Sequence, residues 1–232
     1  MPSDLIDSDR DTPDHQPPLS PSLTAVEIRV LGSLIEKQRT TPDNYPLTLN
    51  ALVLACNQKS NRYPALNLEV RQVGHAVNAL RDRDLIDASF AGRAERYDQR
   101  LVSALRLDRR QSAVIAALML RGPQTAGELR ANAGRMAELP DLPALEYALR
   151  NLMQREPPLV VALPRTPGRR EERYGQTLGG PIELDTEAET APPPAPKRQE
   201  RIEQLEAEVA RLRADLDALW ELTGLEDRRG QT

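Results

Sequence analysis

Aromatic side chains are scarce in this chain: Phe90 and Trp220 are each the only residue of their kind, so any core must be filled by aliphatic side chains. Cys56 is the only cysteine, which excludes an internal disulfide. Lysine is nearly absent too, with Lys37, Lys59 and Lys197 alone, and positive charge is carried almost wholly by arginine. The 12 glycines are scattered, and no glycine loop of the phosphate-cradling kind occurs. There is no run of about 18 apolar residues and no charged-then-apolar leader, so the expectation is a soluble, cytoplasmic chain without a membrane role.

What is present is a repeat. Residues 93 to 97 read Arg-Ala-Glu-Arg-Tyr and residues 170 to 174 read Arg-Glu-Glu-Arg-Tyr. Each run closes a stretch of helical segments followed by a short strand pair. That order, helices and then a basic hairpin, is the order of a winged helix, and its double occurrence predicts two such units in tandem. With 232 residues, 39% of them hydrophobic, the chain is long enough for two small domains plus tails. The fold class expected is therefore mainly α with small β-hairpins, an α+β arrangement of two tandem winged-helix domains and a C-terminal coiled-coil helix.

The boundaries follow from composition. Residues 1–22 hold five aspartates, one arginine and several prolines with no apolar period, and are expected to be a disordered acidic arm. Winged-helix domain 1 spans 23–107 and domain 2 spans 108–180. A proline-rich acidic linker covers 181–199, a coiled-coil helix 200–224, and a disordered tail 225–232.

In the first unit, Thr24 and Glu27 have capping-box spacing, and Val26, Val30, Leu31, Leu34 and Ile35 form one stripe. Thr41-Pro42 ends that helix. A second helix starts near Leu47 or Thr48 and buries Leu49, Leu52, Val53 and Cys56. The third runs from about Leu68 to Arg83 with Val70, Val73, Val77 and Leu80 inward, and Leu85 to Ser89 with Glu95 to Gln99 form the wing. The second unit repeats the plan with helices over Ser112–Leu120, Thr125–Ala133 and Leu142–Arg155. Its strands are Leu159–Leu163 and Arg173–Thr177.

Charge is segregated along the chain. Residues 1–22 sum to −4; residues 23–180 carry 23 basic and 17 acidic side chains, a net +6; residues 181–232 carry 7 basic and 13 acidic, a net −6. A basic repeat region between acidic tails suits a polyanion partner, although a plain preference for arginine would raise the same counts. In a winged helix the third helix enters the major groove, which is about 12 Å wide and presents a full donor and acceptor pattern. The outward residues of the first unit's third helix are Arg71, Gln72, His75, Asn78 and Arg81. Arginine forks onto guanine, and glutamine or asparagine onto adenine. Arg93 and Arg96 on the wing are placed to hold phosphates, as are Arg169 and Arg170 on the second wing. The alternative is a polar solvated face. The second unit's third helix shows Glu146, Tyr147, Arg150, Asn151 and Gln154 and is a poorer reader, leaving backbone clamping or protein contact.

Ile202, Leu205, Val209, Leu212, Leu216 and Leu219 are spaced 3, 4, 3, 4 and 3 and form a seam that asks for a partner helix. With Ile202 at position a, a parallel pair opposes Arg201 to Glu206 and Glu208 to Arg213, which favours a parallel homodimer over an antiparallel one. The alternative is an amphipathic helix lying on its own chain. His75 is the one histidine inside the repeats and has no metal-ligand neighbours, so no metal is expected. Cys56 on an inward helix face is expected to be a buried thiol and not a nucleophile. No catalytic residues and no cofactor are expected.

The run Leu23-Thr24-Ala25-Val26-Glu27-Ile28-Arg29-Val30, then Glu36-Lys37-Gln38, Thr40-Thr41-Pro42, Tyr45-Pro46-Leu47 and Ala55-Cys56-Asn57-Gln58-Lys59-Ser60-Asn61-Arg62, resembles the YceH-like family of bacterial proteins. Leu120-Arg121-Gly122, Gln124-Thr125 and Gly127-Glu128-Leu129-Arg130 carry the same resemblance, which covers about residues 23 to 178. It implies a tandem winged-helix fold and no catalytic residue or cofactor. Its densest block falls on the first two helices and on Asn57 to Arg62, a stretch that is either a binding loop or a hydrogen-bonded turn. The function expected is a dimeric, regulatory or architectural protein that binds double-stranded DNA. The rival is a protein-interaction adaptor using the winged units and the seam.

Overall fold

The computed structural model describes residues 19–91, 94–164, 171–180 and 182. These belong to the first of two compact units into which the chain divides, Met1–Ile182. Residues 1–18 of the expected acidic arm lie outside the described residues, as do the linker apart from Ile182, the seam helix, the tail, Arg93, Arg169 and Arg170.

The first half begins with α1 (Ala25–Thr40). Its start is a closed capping box: Glu27 N donates to Thr24 Oγ1 at 3.3 Å, and Thr24 N donates to Glu27 Oε2 at 2.7 Å. A 3-10 turn at Pro42–Asn44 follows, then β1 (Leu47–Thr48), α2 (Leu49–Cys56) and α3 (Val70–Asp82). β2 (Ile86–Ala91) and β3 (Ala94–Gln99) form the hairpin, and the short α4 (Leu101–Ala104) leads out. The second half repeats this order with α5 (Arg109–Arg121), β4 (Gln124–Thr125), α6 (Ala126–Ala133), α7 (Leu142–Met153), β5 (Val160–Leu163) and β6 (Arg173–Gln176).

Among the described residues there are two three-stranded antiparallel sheets, ordered β1-β3-β2 and β4-β6-β5. The repeated pentapeptides occupy the same place in both. Arg96 and Tyr97 pair with Thr48 and Leu47; Arg173 and Tyr174 pair with Thr125 and Gln124. The chemistry of the motif is also repeated. Arg96 Nη1 donates to the carbonyl of Pro46 at 2.8 Å, and Arg173 Nη2 to that of Pro123 at 2.5 Å. Tyr97 donates its hydroxyl proton to Glu95 at 2.8 Å, and Tyr174 to Glu172 at 2.9 Å. The arginine of the repeat thus ties the middle strand to the residue before the two-residue strand beside it, while the bond from tyrosine to glutamate runs along the middle strand's own segment.

The halves share one apolar core. α1 and α5 lie against each other, and both are buried around their full circumference from Val30 to Glu36 and from Ser112 to Leu120. Gly32 allows that approach, because a Cβ there would stand 3.0 Å from Met119 Cβ and 3.1 Å from Leu120 Cδ2. Gly122, at φ 71°, ends α5 in a conformation that suits glycine. In the third helices, Val73, Ala76, Val77 and Leu80 of α3 correspond by position to Leu145, Ala148, Leu149 and Leu152 of α7, and all are buried.

One core expectation is corrected. The apolar spacing places Val70 inward, but it is 48% exposed. At about 100° per residue it lies within about 20° of Val77, so its exposure reflects its place as the first residue of α3, at the end of the buried stripe, and not its facing. The two-residue strands β1 and β4, which complete each sheet, are also additions to the sequence-based plan.

Candidate functional site

α3 presents Arg71, Gln72, His75 and Asn78 to solvent, the four residues singled out from the sequence. Arg71, His75 and Asn78 fall within about 60° of arc on the helix. Asp82 lies on the same arc at the C-terminal end and is the one carboxylate of α3. Gln72 also serves the helix itself, since its side-chain oxygen accepts from Glu69 N at 2.8 Å and closes the first turn. On its flank the α3 face continues into a groove of about 680 Å3 between Thr24, Val26 and Glu27 on one side and Arg71, Gln72, His75, Ala76 and Ala79 on the other.

The hairpin is fastened to this helix. Arg81 Nη1 lies 3.3 Å from Glu95 Oε1, and the other oxygen of Glu95 accepts from Tyr97. Arg96, expected at the phosphate backbone, is half-buried and engaged with Pro46, so its part in the structure is to hold β1 to β3. The sequence could not reveal this, because its partner is 50 residues away. Arg100 is exposed beyond β3.

The corresponding surface of α7 has different chemistry. Aligned on their N-caps, Glu69 and Asp141, the helices match Arg71 with Pro143, His75 with Tyr147, Asn78 with Arg150 and Arg81 with Met153. Leu142, Tyr147 and Met153 are 42%, 60% and 37% exposed, interleaved with exposed Glu146 and Arg150. One third helix offers bidentate hydrogen-bonding groups, and the other offers an aromatic ring and apolar side chains.

The stretch Asn57 to Arg62 proves to be a hydrogen-bonded turn. Asn57 closes on Leu68 with both ends of its amide, Nδ2 donating to Leu68 O and Oδ1 accepting from Leu68 N, each at 2.8 Å. Asn61 takes φ 58°, a left-handed conformation that asparagine tolerates. Arg62 is buried; its Nε donates to Ala55 O at 3.1 Å and its Nη1 to Asn61 O at 3.0 Å. Its Nη2 meets Glu36 Oε2 at 2.5 Å, while the other oxygen of Glu36 pairs with Arg135, which follows α6. Tyr63 N donates to Leu120 O at 2.8 Å, and Arg121 Nη1 to Asn61 Oδ1 at 3.3 Å. The turn therefore joins the two halves, with Glu36 as a carboxylate bridge between a guanidinium of each.

The charges respond to that setting. Burial works against the Glu36 carboxylate, but its bond to Arg62 and the charges of Arg62 and Arg135 outweigh it and hold the group below the usual carboxylate range. Arg29, also buried, donates to Cys56 O at 3.1 Å and Pro64 O at 2.7 Å, and burial with the nearby Arg62 charge lowers it from its ordinary value. Burial pushes the Cys56 thiol up to about 11, which leaves it protonated and unreactive at neutral pH. Tyr45 donates to Asp98 at 2.6 Å and accepts from Gln99 N at 2.8 Å; burial, and then the bond to Asp98, raise its phenol above the ordinary range.

Among the described residues, no group of three or more His, Cys, Asp or Glu side chains is arranged to hold a metal ion, and no helix is long and apolar enough to cross a membrane.

Comparison with known proteins places the chain in a family. Residues 23–169 match a family described as "Protein of unknown function, DUF480". The UPF0502 protein of Geotalea daltonii is 51% identical over 194 residues, which cover 81% of this chain and 88% of that protein. The UPF0502 protein of Geobacter sulfurreducens is 49% identical over 196 residues, covering 82% and 90%. That of Mesorhizobium japonicum is 46% identical over 202 residues, covering 86% and 97%.

Proposed function

We propose that this chain, which belongs to the DUF480 family, binds double-stranded DNA through two tandem winged-helix units and acts as a regulatory or architectural protein. The winged-helix reading is supported by the twice-used order of helices, short strand and hairpin, and it agrees with the YceH-like resemblance of residues 23 to 178. α3 is the reading helix: Arg71, His75 and Asn78 face base edges, and Gln72 stabilises the helix start beside them. Arg93, Arg169 and Arg170, with Arg100, hold the phosphate backbone, while Arg96 keeps the hairpin in place. The role is one of binding, without a catalytic site or cofactor, in the cytoplasm.

The observation that carries the proposal is the contrast between equivalent helices. On one arc α3 gathers arginine, histidine and asparagine, groups that hydrogen-bond base edges, where α7 has proline, tyrosine and arginine. The decisive experiment is titration of the full chain with mixed-sequence duplex at several salt concentrations. Each phosphate neutralised releases counterions, so the logarithm of affinity falls with the logarithm of salt at a slope of about −0.9 per contact. No binding at low salt contradicts the proposal.

A second reading rests on α7. Its exposed Leu142, Tyr147 and Met153 favour protein contact by the second unit. Capture from nuclease-treated extract tests it, because a protein partner survives that treatment and one bridged by DNA does not. Dimerisation through Ile202, Leu205, Val209, Leu212, Leu216 and Leu219 is proposed from their spacing alone. Equal protomer number in sedimentation of the full chain and of a chain ending at Gly180 excludes it.

A further inference from the structure

The groove between α1 and α3 is met at one end by the chain that leads into α1. Gln72, His75, Ala76 and Ala79 line one wall, and Arg83, which caps α3, continues their stripe, the five falling within about 100° of arc. Arg83 Nη2 donates to the carbonyl of Pro21 at 2.5 Å, and Leu19 packs on the apolar core. Leu23 N then donates to Leu178 O at 2.9 Å, and Thr24, the N-cap of α1, lines the opposite wall. Residues 19–22 therefore cross the end of the groove, and residues 1–18 join the body there.

The groove combines apolar walls with two polar groups that have no fixed partner. Val26, Ala76 and Ala79 supply the walls. Arg71 and His75 are exposed, and neither is in an ion pair among the described residues. Glu27, the one carboxylate of the lining, is buried and accepts from Thr24 N, so it serves the helix start. Glu69 and Asp82, at the two ends of α3, are outside the lining. Residues 1–18 carry the complement: five aspartates against one arginine, with Leu5 and Ile6 as their only branched aliphatic residues, flanked by Asp4 and Asp7.

We propose that Asp4-Leu5-Ile6-Asp7 docks into this groove of its own chain, with Leu5 and Ile6 against Val26, Ala76 and Ala79 and the flanking aspartates on Arg71 and His75, so that the arm screens the α3 face until a polyanion displaces it. The docking rests on the groove; the screening of DNA rests on the reading of α3 given above. Length permits the contact, because residues 8–18 extend to about 36 Å while the groove follows α3 for about 11 Å from Gln72 to Ala79. So short a segment binds weakly when free. A tether of this length supplies an effective concentration on the order of 1 mM, at which a contact of about 1 mM dissociation constant is half formed.

The test uses the full chain with Ser3→Cys carrying a nitroxide, since Cys56 is buried and protonated and leaves the introduced thiol as the reactive one. The amide signals of Ala76 and Ala79 are expected to broaden relative to the reduced label. Leu5→Ser with Ile6→Ser in the same labelled chain is expected to abolish that broadening. No broadening, broadening spread over exposed residues of both halves, or broadening that survives the double substitution overturns the docking. Broadening that scales with protein concentration assigns the groove to a second copy's arm and also overturns it. Duplex DNA is expected to relieve the broadening, and the double substitution to tighten duplex binding about two-fold, the factor set by a half-occupied groove. Unchanged affinity with the broadening present overturns the screening. Failure of wild type to bind duplex overturns the DNA reading and the screening with it, while the broadening without DNA decides the docking by itself.

Discussion

Substituting Glu36 by glutamine isolates the bridge that joins the two halves. The change preserves shape and removes one charge. Arg62, whose side chain is 0% exposed, would keep the carbonyls of Ala55 and Asn61 and one neutral amide oxygen of the glutamine as acceptors, but no buried counter-charge. Removing one member of a buried ion pair costs about 3–5 kcal/mol, chiefly because the remaining charge stays buried without compensation. Against a total stability of about 5–15 kcal/mol this is a large share. For a body of this size each kcal/mol shifts the thermal midpoint by about 2–4 °C, so Glu36→Gln is expected to melt roughly 6–20 °C lower. The Arg135 side chain is 38% exposed, and losing it leaves Glu36 paired with Arg62. Arg135→Ala is therefore expected to cost about 1 kcal/mol or less. The double change Glu36→Leu with Arg62→Met removes both buried charges and should recover much of the loss. Urea unfolding, with midpoints compared at unchanged slope, reads all four proteins. A Glu36→Gln protein within about 1 kcal/mol of wild type, or an Arg135→Ala protein as unstable as Glu36→Gln, refutes the reasoning.

Other consequences follow from the same structure. The Glu36 carboxyl is held below its ordinary value in the folded chain, so between the two values the unfolded state binds more protons; its stabilisation is complete above about pH 4.3 and is lost as pH falls through the folded value. Glu36→Gln should flatten that acid limb in urea midpoints measured against pH, and an unchanged limb would assign it to other groups. Gly32→Leu should destabilise by about 1–3 kcal/mol or more through overpacking against Met119 and Leu120, and a neutral result in thermal unfolding would mean that α1 and α5 separate easily. Arg96→Ala should cost about 1.5–3 kcal/mol for the charged hydrogen bond to Pro46 while leaving the salt slope of DNA binding unchanged; a slope reduced by one with stability intact would return Arg96 to the phosphate backbone.

Elements whose cause is local are legible in the sequence. The capping boxes at Thr24–Glu27 and Thr125–Glu128 form as their spacing requires, Thr41-Pro42 ends α1, and Val73, Val77 and Leu80 point inward. Features with distant causes are not legible there. A two-residue strand such as Leu47–Thr48 has no period to detect and exists because β3 lies beside it. Glu36 and Arg135 are 99 residues apart, and nothing in either neighbourhood announces the other. The pentapeptide repeat reads as a basic wing, whereas its Glu-Arg-Tyr core serves the sheet, with arginine on a proline carbonyl and tyrosine on glutamate. The outward arc of α3 is legible because helical periodicity fixes facing once the buried positions are known. Only the pairing of α3 with α7 gives that arc a comparison within the same chain.

DNA recognition by α3 is tested most directly by the salt dependence of duplex binding for wild type, Arg71→Ala and Arg150→Ala, measured with the full chain. The expected result is binding weaker by about 1–3 kcal/mol with the slope little changed for Arg71→Ala, which faces base edges, and Arg150→Ala indistinguishable from wild type. Equal losses in both variants, or no loss in either, would contradict it.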